Sequence, residues 1–160
     1  MRRAKRHATG GMAALAFGLL LAWLLCSAAG PTAQSTCPPT RPDSEGPFYV
    51  PNAPERSQTG QGLVVFGVVR SQNCRPIPGA RIEWWSANPR GEYDAAHRAT
   101  QKSDATGRYR YETDFPAPEI GRPPHLHVRV TAPGHRVLVT QFYPAAGQTS
   151  LPADLVLVTE

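Results

Sequence analysis

The chain has 160 residues, enough for one domain of ordinary size, and its 17 Pro and 14 Gly argue against a helical bundle or a coiled coil, since both interrupt helices. With 41% hydrophobic and 18% charged residues it is too apolar to be disordered. The net charge of +5 owes four charges to Arg2, Arg3, Lys5 and Arg6; without them 13 basic residues face 12 acidic ones, so the charge gives no ground for nucleic-acid binding.

Residues 1–10 are basic and residues 11–25 (GMAALAFGLLLAWLL) carry no charge. Small residues follow at Ser27-Ala28-Ala29 and Pro31-Thr32-Ala33. This order is that of a signal peptide over residues 1–33, cleaved near residue 29 or 33, and it predicts a secreted or periplasmic mature chain. The alternative is an uncleaved anchor, although the run is short beside the ~20 residues that span a bilayer. Membrane contact is expected through this segment alone. Cys26 leaves with the leader. Cys37 and Cys74 remain, an even pair in a disulfide-permissive compartment, and are predicted to be bonded; the alternative is two unrelated buried thiols.

The mature domain, 34–160, starts with a Pro-, Ser-, Gly- and Gln-rich stretch to residue 62 that reads as an irregular arm packed over a core. Strand signals then recur. Leu63–Arg70 is β-branched and apolar, Ala80–Ala87 alternates, and Asp104-Ala105-Thr106-Gly107 turns the chain into Arg108–Thr113. His125–Thr131 alternates again, Pro133-Gly134 leads into Arg136–Tyr143, and Asp154–Thr159 follows. Six short strands between turns, with no helix, predict an all-β fold, an antiparallel β-sandwich with an irregular N-terminal arm.

The sharpest chemical feature is Arg122-Pro123-Pro124-His125-Leu126-His127. Alternation along a strand puts His125 and His127 on one face, about 7 Å apart, where two imidazoles can converge on a metal. Two surface histidines are the alternative. Around this run, in order, stand Glu45-Gly46-Pro47-Phe48-Tyr49-Val50-Pro51, Trp84-Trp85-Ser86-Ala87-Asn88, Gly91-Glu92-Tyr93-Asp94 and Thr140-Gln141-Phe142-Tyr143.

In this order and spacing the chain resembles the intradiol ring-cleavage dioxygenases, the catechol and protocatechuate dioxygenase family, and most of all its small secreted members. The resemblance covers about residues 37–145 and implies a β-sandwich. It implies non-haem Fe(III) held by two tyrosinates and two histidines. Tyr93 matches the first tyrosine ligand, and His125 and His127 match the two histidines. Arg122 and Gln141 match an active-site arginine and the glutamine that works with it. A phenolate is a hard anionic donor that favours the ferric state. The implied partners are a catechol-type substrate and O2.

The chain departs from the family at one position. Where small secreted members carry a second tyrosine, in Pro-Tyr-x-Gly-Arg-Pro, this sequence has Pro118-Glu119-Ile120-Gly121-Arg122-Pro123. Three readings stay open. Glu119 ligates a ferric ion, the family's second tyrosine being the ligand that moves aside for substrate. Alternatively Glu119, His125 and His127 form a two-His-one-carboxylate set for a divalent metal. Or the site is degenerate and the sandwich is a non-catalytic binding module. Of the remaining residues, one of Trp84 and Trp85 is expected in the core and the other in core or surface packing, with a substrate-pocket wall as the alternative. His97 reads as structural, His135 as solvent-exposed, Glu45 as a hydrogen-bond or salt-bridge partner, and Gly46-Pro47 as a turn walling the site.

Overall fold

Alternation of inward and outward side chains builds the first strand, Leu63–Ser71 (β1): Leu63, Val65, Val69 and Ser71 are buried while Phe66 faces solvent. A computed structural model describes residues 36–160 of the chain, so the leader and Cys26 lie outside the described residues. Seven more strands follow, Arg81–Ser86 (β2), Arg98–Lys102 (β3), Arg108–Thr113 (β4), Leu126–Thr131 (β5), Leu138–Phe142 (β6), Ser150–Pro152 (β7) and Leu155–Leu157 (β8), and no helix occurs among the described residues.

The strands form two four-stranded sheets. One is ordered β3-β2-β5-β6 and is antiparallel throughout. The other is built on β1, which pairs antiparallel with β4 but parallel with both β7 and β8. The expected antiparallel β-sandwich is borne out, with parallel pairs only where the last part of the chain runs beside β1 in the same direction. β3 and β7 were not among the six expected strands. β3 (RATQK) has no clear alternation, and β7 is three residues ending in proline.

The core lies between the sheets. Trp84 of β2 stacks on Tyr111 of β4 with ring centroids 4.7 Å apart. Leu63, Val65, Leu155 and Leu157 meet Ile82, Val128 and Val130 around that pair. Each such fully buried side chain contributes about 1.5–3 kcal/mol of transfer free energy. Cys37 and Cys74 are joined by a disulfide, as expected.

The arm is irregular, as its composition predicts, and it is bonded along its length. Thr40 N–H donates to the Val156 carbonyl of β8 and Asp43 N–H to the Val139 carbonyl of β6. Arg56 N–H donates to Thr100 of β3, and Thr59 N–H to Glu112 of β4. Arg56 also donates through its guanidinium to the carbonyls of Ala95 and Arg98, 2.7 Å and 2.6 Å away. Near its middle, Tyr49 donates to the buried carboxylate of Glu83, which also pairs with Arg81 and Arg129 at 3.1 Å and 3.0 Å.

Candidate metal centre

Strand register places the site on the outer face of the β3-β2-β5-β6 sheet. Trp85 pairs with His127 across β2 and β5, and His127 pairs with Gln141 across β5 and β6, so the three stand in one row. The next residues inward in register, Trp84, Val128 and Thr140, face the other way. His125, two residues before His127, shares its face, while Leu126 between them is in the core. Both imidazoles are 1–2% exposed. The ring of Trp85 lies nearly parallel to that of His127, 4.9 Å away, which fixes the imidazole plane.

Tyr93 arrives on the loop between β2 and β3. That loop is shaped by Asn88, whose side-chain oxygen accepts from the N–H groups of Arg90 and Glu92 and whose amide donates to Glu92 and Asp94. Glu119 arrives on the segment between β4 and β5. There Arg122 N–H donates to the Glu119 carbonyl, 3.0 Å away, across a turn in which Gly121 takes the left-handed conformation (φ 75°).

Four donor groups meet at one point. The Tyr93 hydroxyl donates to Glu119 Oε1 at 2.5 Å and lies 3.2 Å from the Nε2 atoms of both His125 and His127. The donor atoms of Glu119, His125 and His127 all lie within 4.8 Å of one another. His125 Nδ1 is 2.8 Å from the Pro123 carbonyl; a carbonyl only accepts, so Nδ1 carries the proton and Nε2 presents its lone pair to the site. His127 Nδ1 is buried without a hydrogen-bond partner. Burial, helped by the charges of His125 and Arg122, pushes the His127 imidazole down to about 4, so it is neutral at pH 7. Burial and then the Glu119 carboxylate raise the Tyr93 phenol well above its ordinary value. One phenol, one carboxylate and two imidazoles, with the oxygen donors hard, are a donor set that fits ferric iron.

Arg122 flanks these donors. Its guanidinium donates to Gln141 Oε1 at 2.5 Å and lies 3.7 Å from Glu119 Oε2. Gln141 in turn donates to the Ser44 carbonyl of the arm. Tyr143 extends the network, its hydroxyl 2.9 Å from Asp43 and 3.1 Å from Gln141. The arm roofs the site. Gly46 packs so close that a Cβ there would stand 3.2 Å from His127 Cε1, and Phe48 stacks on Tyr93 with centroids 4.1 Å apart. The expected Gly46-Pro47 wall therefore sits against His127.

The structure thus brings together Tyr93, Glu119, Arg122, His125, His127 and Gln141. Tyr109 and Tyr111 are buried in the core and are no substitute for a second tyrosine. Trp84 is in the core, as expected of one of the pair, and Trp85 is buried against His127. Two expectations are corrected. His135 is half-buried, bridged to Thr159. Glu45 is exposed and makes no hydrogen bond or salt bridge among the described residues, the role expected of it falling to Ser44 and Tyr49. Sequence reasoning missed Phe48 and Tyr143 as parts of the site. Only Tyr143 carried a signal, lying two residues from Gln141 on the same side of its strand.

The family model described as Dioxygenase (Dioxygenase_C) matches residues 44–160. The chain belongs to the intradiol ring-cleavage dioxygenase family. The 6-chlorohydroxyquinol 1,2-dioxygenase of Cupriavidus pinatubonensis is 30% identical over 151 residues, covering 73% of this chain and 54% of that protein. The hydroxyquinol 1,2-dioxygenase of Rhodococcus opacus is 35% identical over 133 residues, 62% of this chain and 44% of that protein. The chain therefore spans about half the length of these curated relatives. Among solved structures, the dioxygenase domain of a dioxygenase carbohydrate-binding protein fusion from Streptomyces sp. SirexAA-E superposes with a TM-score of 0.70 at 29% identity, over 77% of this chain and 100% of that one.

Proposed function

We propose that the chain is a secreted or periplasmic non-haem iron dioxygenase that opens catechol-type rings between the two hydroxylated carbons, incorporating both atoms of O2 into a muconate-type dicarboxylic acid. The convergence of Tyr93, Glu119, His125 and His127 beside a fixed guanidinium carries this reading. The relatives' names, hydroxyquinol and 6-chlorohydroxyquinol 1,2-dioxygenase, support an ortho-diphenol substrate. The basic–apolar–small order of the leader and the Cys37–Cys74 bridge support export to an oxidising compartment.

In this reading the four residues hold Fe(III), which when bound withdraws electron density from a catecholate and makes its ring reactive toward O2. A deprotonated Tyr93 and an ionised Glu119 supply two negative charges, as two tyrosinates would. The proton on Tyr93 Oη, held toward Glu119 Oε1, must leave before both oxygens act as anionic donors. His125 is kept in the Nε2-donor tautomer by Pro123. Trp85 holds the plane of His127. Gln141 anchors Arg122, whose cation offsets negative charge developing on the ring. The arm, through Gly46 and Phe48, limits water at the Tyr93–His127 side.

Visible spectra of the purified protein loaded with Fe(III) and titrated with catechol under air test this. A tyrosinate-to-iron charge-transfer band that shifts with catechol and fades as a muconate-type product accumulates is the expected result. A colourless protein that neither retains Fe(III) nor consumes catechol overturns it. The compact set of Glu119, His125 and His127 favours a second reading, a divalent-metal enzyme. Retention of Fe(II) without a tyrosinate band in the same experiment selects it.

A further inference from the structure

We propose that His97, as an imidazolium held between Asp94 and Asp114, is a positioning residue that locks the tyrosine side of the metal centre to its glutamate side. Its effect on the metal rests on the reading of Tyr93 and Glu119 as ligands.

His97 is buried, and its two ring nitrogens meet carboxylates from two different segments: Nδ1 lies 2.8 Å from Asp94 Oδ1 and Nε2 lies 3.0 Å from Asp114 Oδ2. A neutral imidazole has one N–H, so its other nitrogen would turn a lone pair toward a carboxylate oxygen. Only the doubly protonated ring satisfies both contacts. Burial opposes that charge, but the hydrogen bonds to Asp114 and Asp94 outweigh it and raise the imidazole above its ordinary value.

The two carboxylates belong to the two halves of the site. Asp94 directly follows Tyr93, and its other oxygen accepts from Asn88, the residue that shapes the Tyr93 loop. Asp114 stands on the segment that runs from β4 to Glu119, and its Oδ1 accepts from Gln61 N–H of the arm, 3.0 Å away. Gly60 leaves the room this requires, since a Cβ there would fall 2.3 Å from Asp114 N. His97 therefore joins the loop that carries Tyr93 to the segment that carries Glu119. Among the described residues, other hydrogen bonds make the same crossing: a long backbone bond, Ala117 N–H to the Asn88 carbonyl at 3.4 Å, and the contacts of the Tyr93 hydroxyl with Glu119 and His125. The Tyr93 contacts run through the donor atoms themselves, whereas the His97 strut is a side-chain tie that leaves those atoms free to bind a metal.

The full chain is tested as wild type, His97→Ala and Asp114→Asn. In the metal-free proteins, two-bond 1H–15N NMR should show both ring nitrogens of wild-type His97 protonated at pH 7. Hydrogen exchange in His97→Ala should rise in residues 91–96 and 115–119 together, with β1, β2 and β5 unchanged. On Fe(III) titration, His97→Ala should lose about tenfold or more in retention, the scale seen when partners of metal ligands are removed, and its tyrosinate band should shift. Asp114→Asn keeps an acceptor but not the charge, and should fall between the two. If His97→Ala loses protection throughout the sheets, Asp114→Asn carries the same comparison. A singly protonated wild-type ring, exchange that rises only in the loop carrying His97, or unchanged Fe(III) retention with an unchanged band would each overturn the proposal. A wild-type protein that takes up no Fe(III) fails the metal reading instead, and the exchange data then decide by themselves whether His97 joins the two segments.

Discussion

At the scale of residues, the hydroxyl of Tyr93 and the carboxylate of Glu119 share one proton at 2.5 Å. The phenol, raised by burial and then by Glu119, keeps that proton throughout the neutral range, whereas His127, held down to about 4, is already free to bind. A metal ion must therefore compete with the Tyr93 proton and not with one on His127. Loading with Fe(III) near pH 7 should release one proton more from the wild type than from Tyr93→Phe, counted in a pH-stat, and retention should strengthen by about tenfold per pH unit for that proton. Equal proton release from both proteins would mean that Tyr93 does not ligate. His125 and His127 were legible in the sequence because strand alternation alone puts them on one face. Tyr93, Arg122 and Gln141 were legible only through the ordered motifs around them. The stacking of Trp85 on His127 was not legible, since it depends on which residue of β2 faces which residue of β5, and that register is set by contacts distant in sequence.

At the scale of elements, β1 illustrates what patterning conveys and what it hides. Its alternating buried residues announce a strand, but nothing local says that it changes parallel partners midway. The change occurs at Gly67: residues before it pair with β7 and residues after it with β8. Between them Ala153 N–H donates to the Phe66 carbonyl and the Asp154 carboxylate accepts from Val68 N–H, both at 2.8 Å. A Cβ on Gly67 would lie 2.2 Å from the Ala153 carbonyl oxygen. Gly67→Ala should therefore push the β7–β8 connection off the sheet and cost about 1–3 kcal/mol, read as a lowered urea midpoint. β3 and β7 escaped detection for a related reason. They are short, and their neighbours define them as strands more than their own residues do.

At the scale of the whole molecule, two cross-links set the conditions under which the sandwich is stable. The first is Asp94–His97–Asp114. His97 is raised, so its contribution is full below its unfolded value of about 6.5 and is lost as pH climbs through the folded value. Asp94 is lowered to about 2, because its bonds to His97 and Asn88 outweigh burial, so its contribution is full above about 4 and is lost as pH falls. Stability from this cluster should peak between about pH 4 and 6.5, and urea midpoints measured against pH should lose that peak in His97→Ala. The second cross-link is Cys37–Cys74, which spans a sequence separation of 37. Its reduction should cost about 3–4 kcal/mol in the chain-entropy model, measured as urea unfolding with and without reductant.

The same arm that roofs the metal centre runs against β8, β6, β3 and β4 and occupies backbone groups that would otherwise be open to other chains. Its release would do two things at once: unroof His127 and expose sheet edges primed for intermolecular pairing. Loss of function and loss of solubility are thereby coupled. Molecules that fail to close the Cys37–Cys74 bridge should accumulate as precipitate and not as a soluble inactive pool, so the soluble fraction of a preparation would be enriched in molecules whose arm is in place.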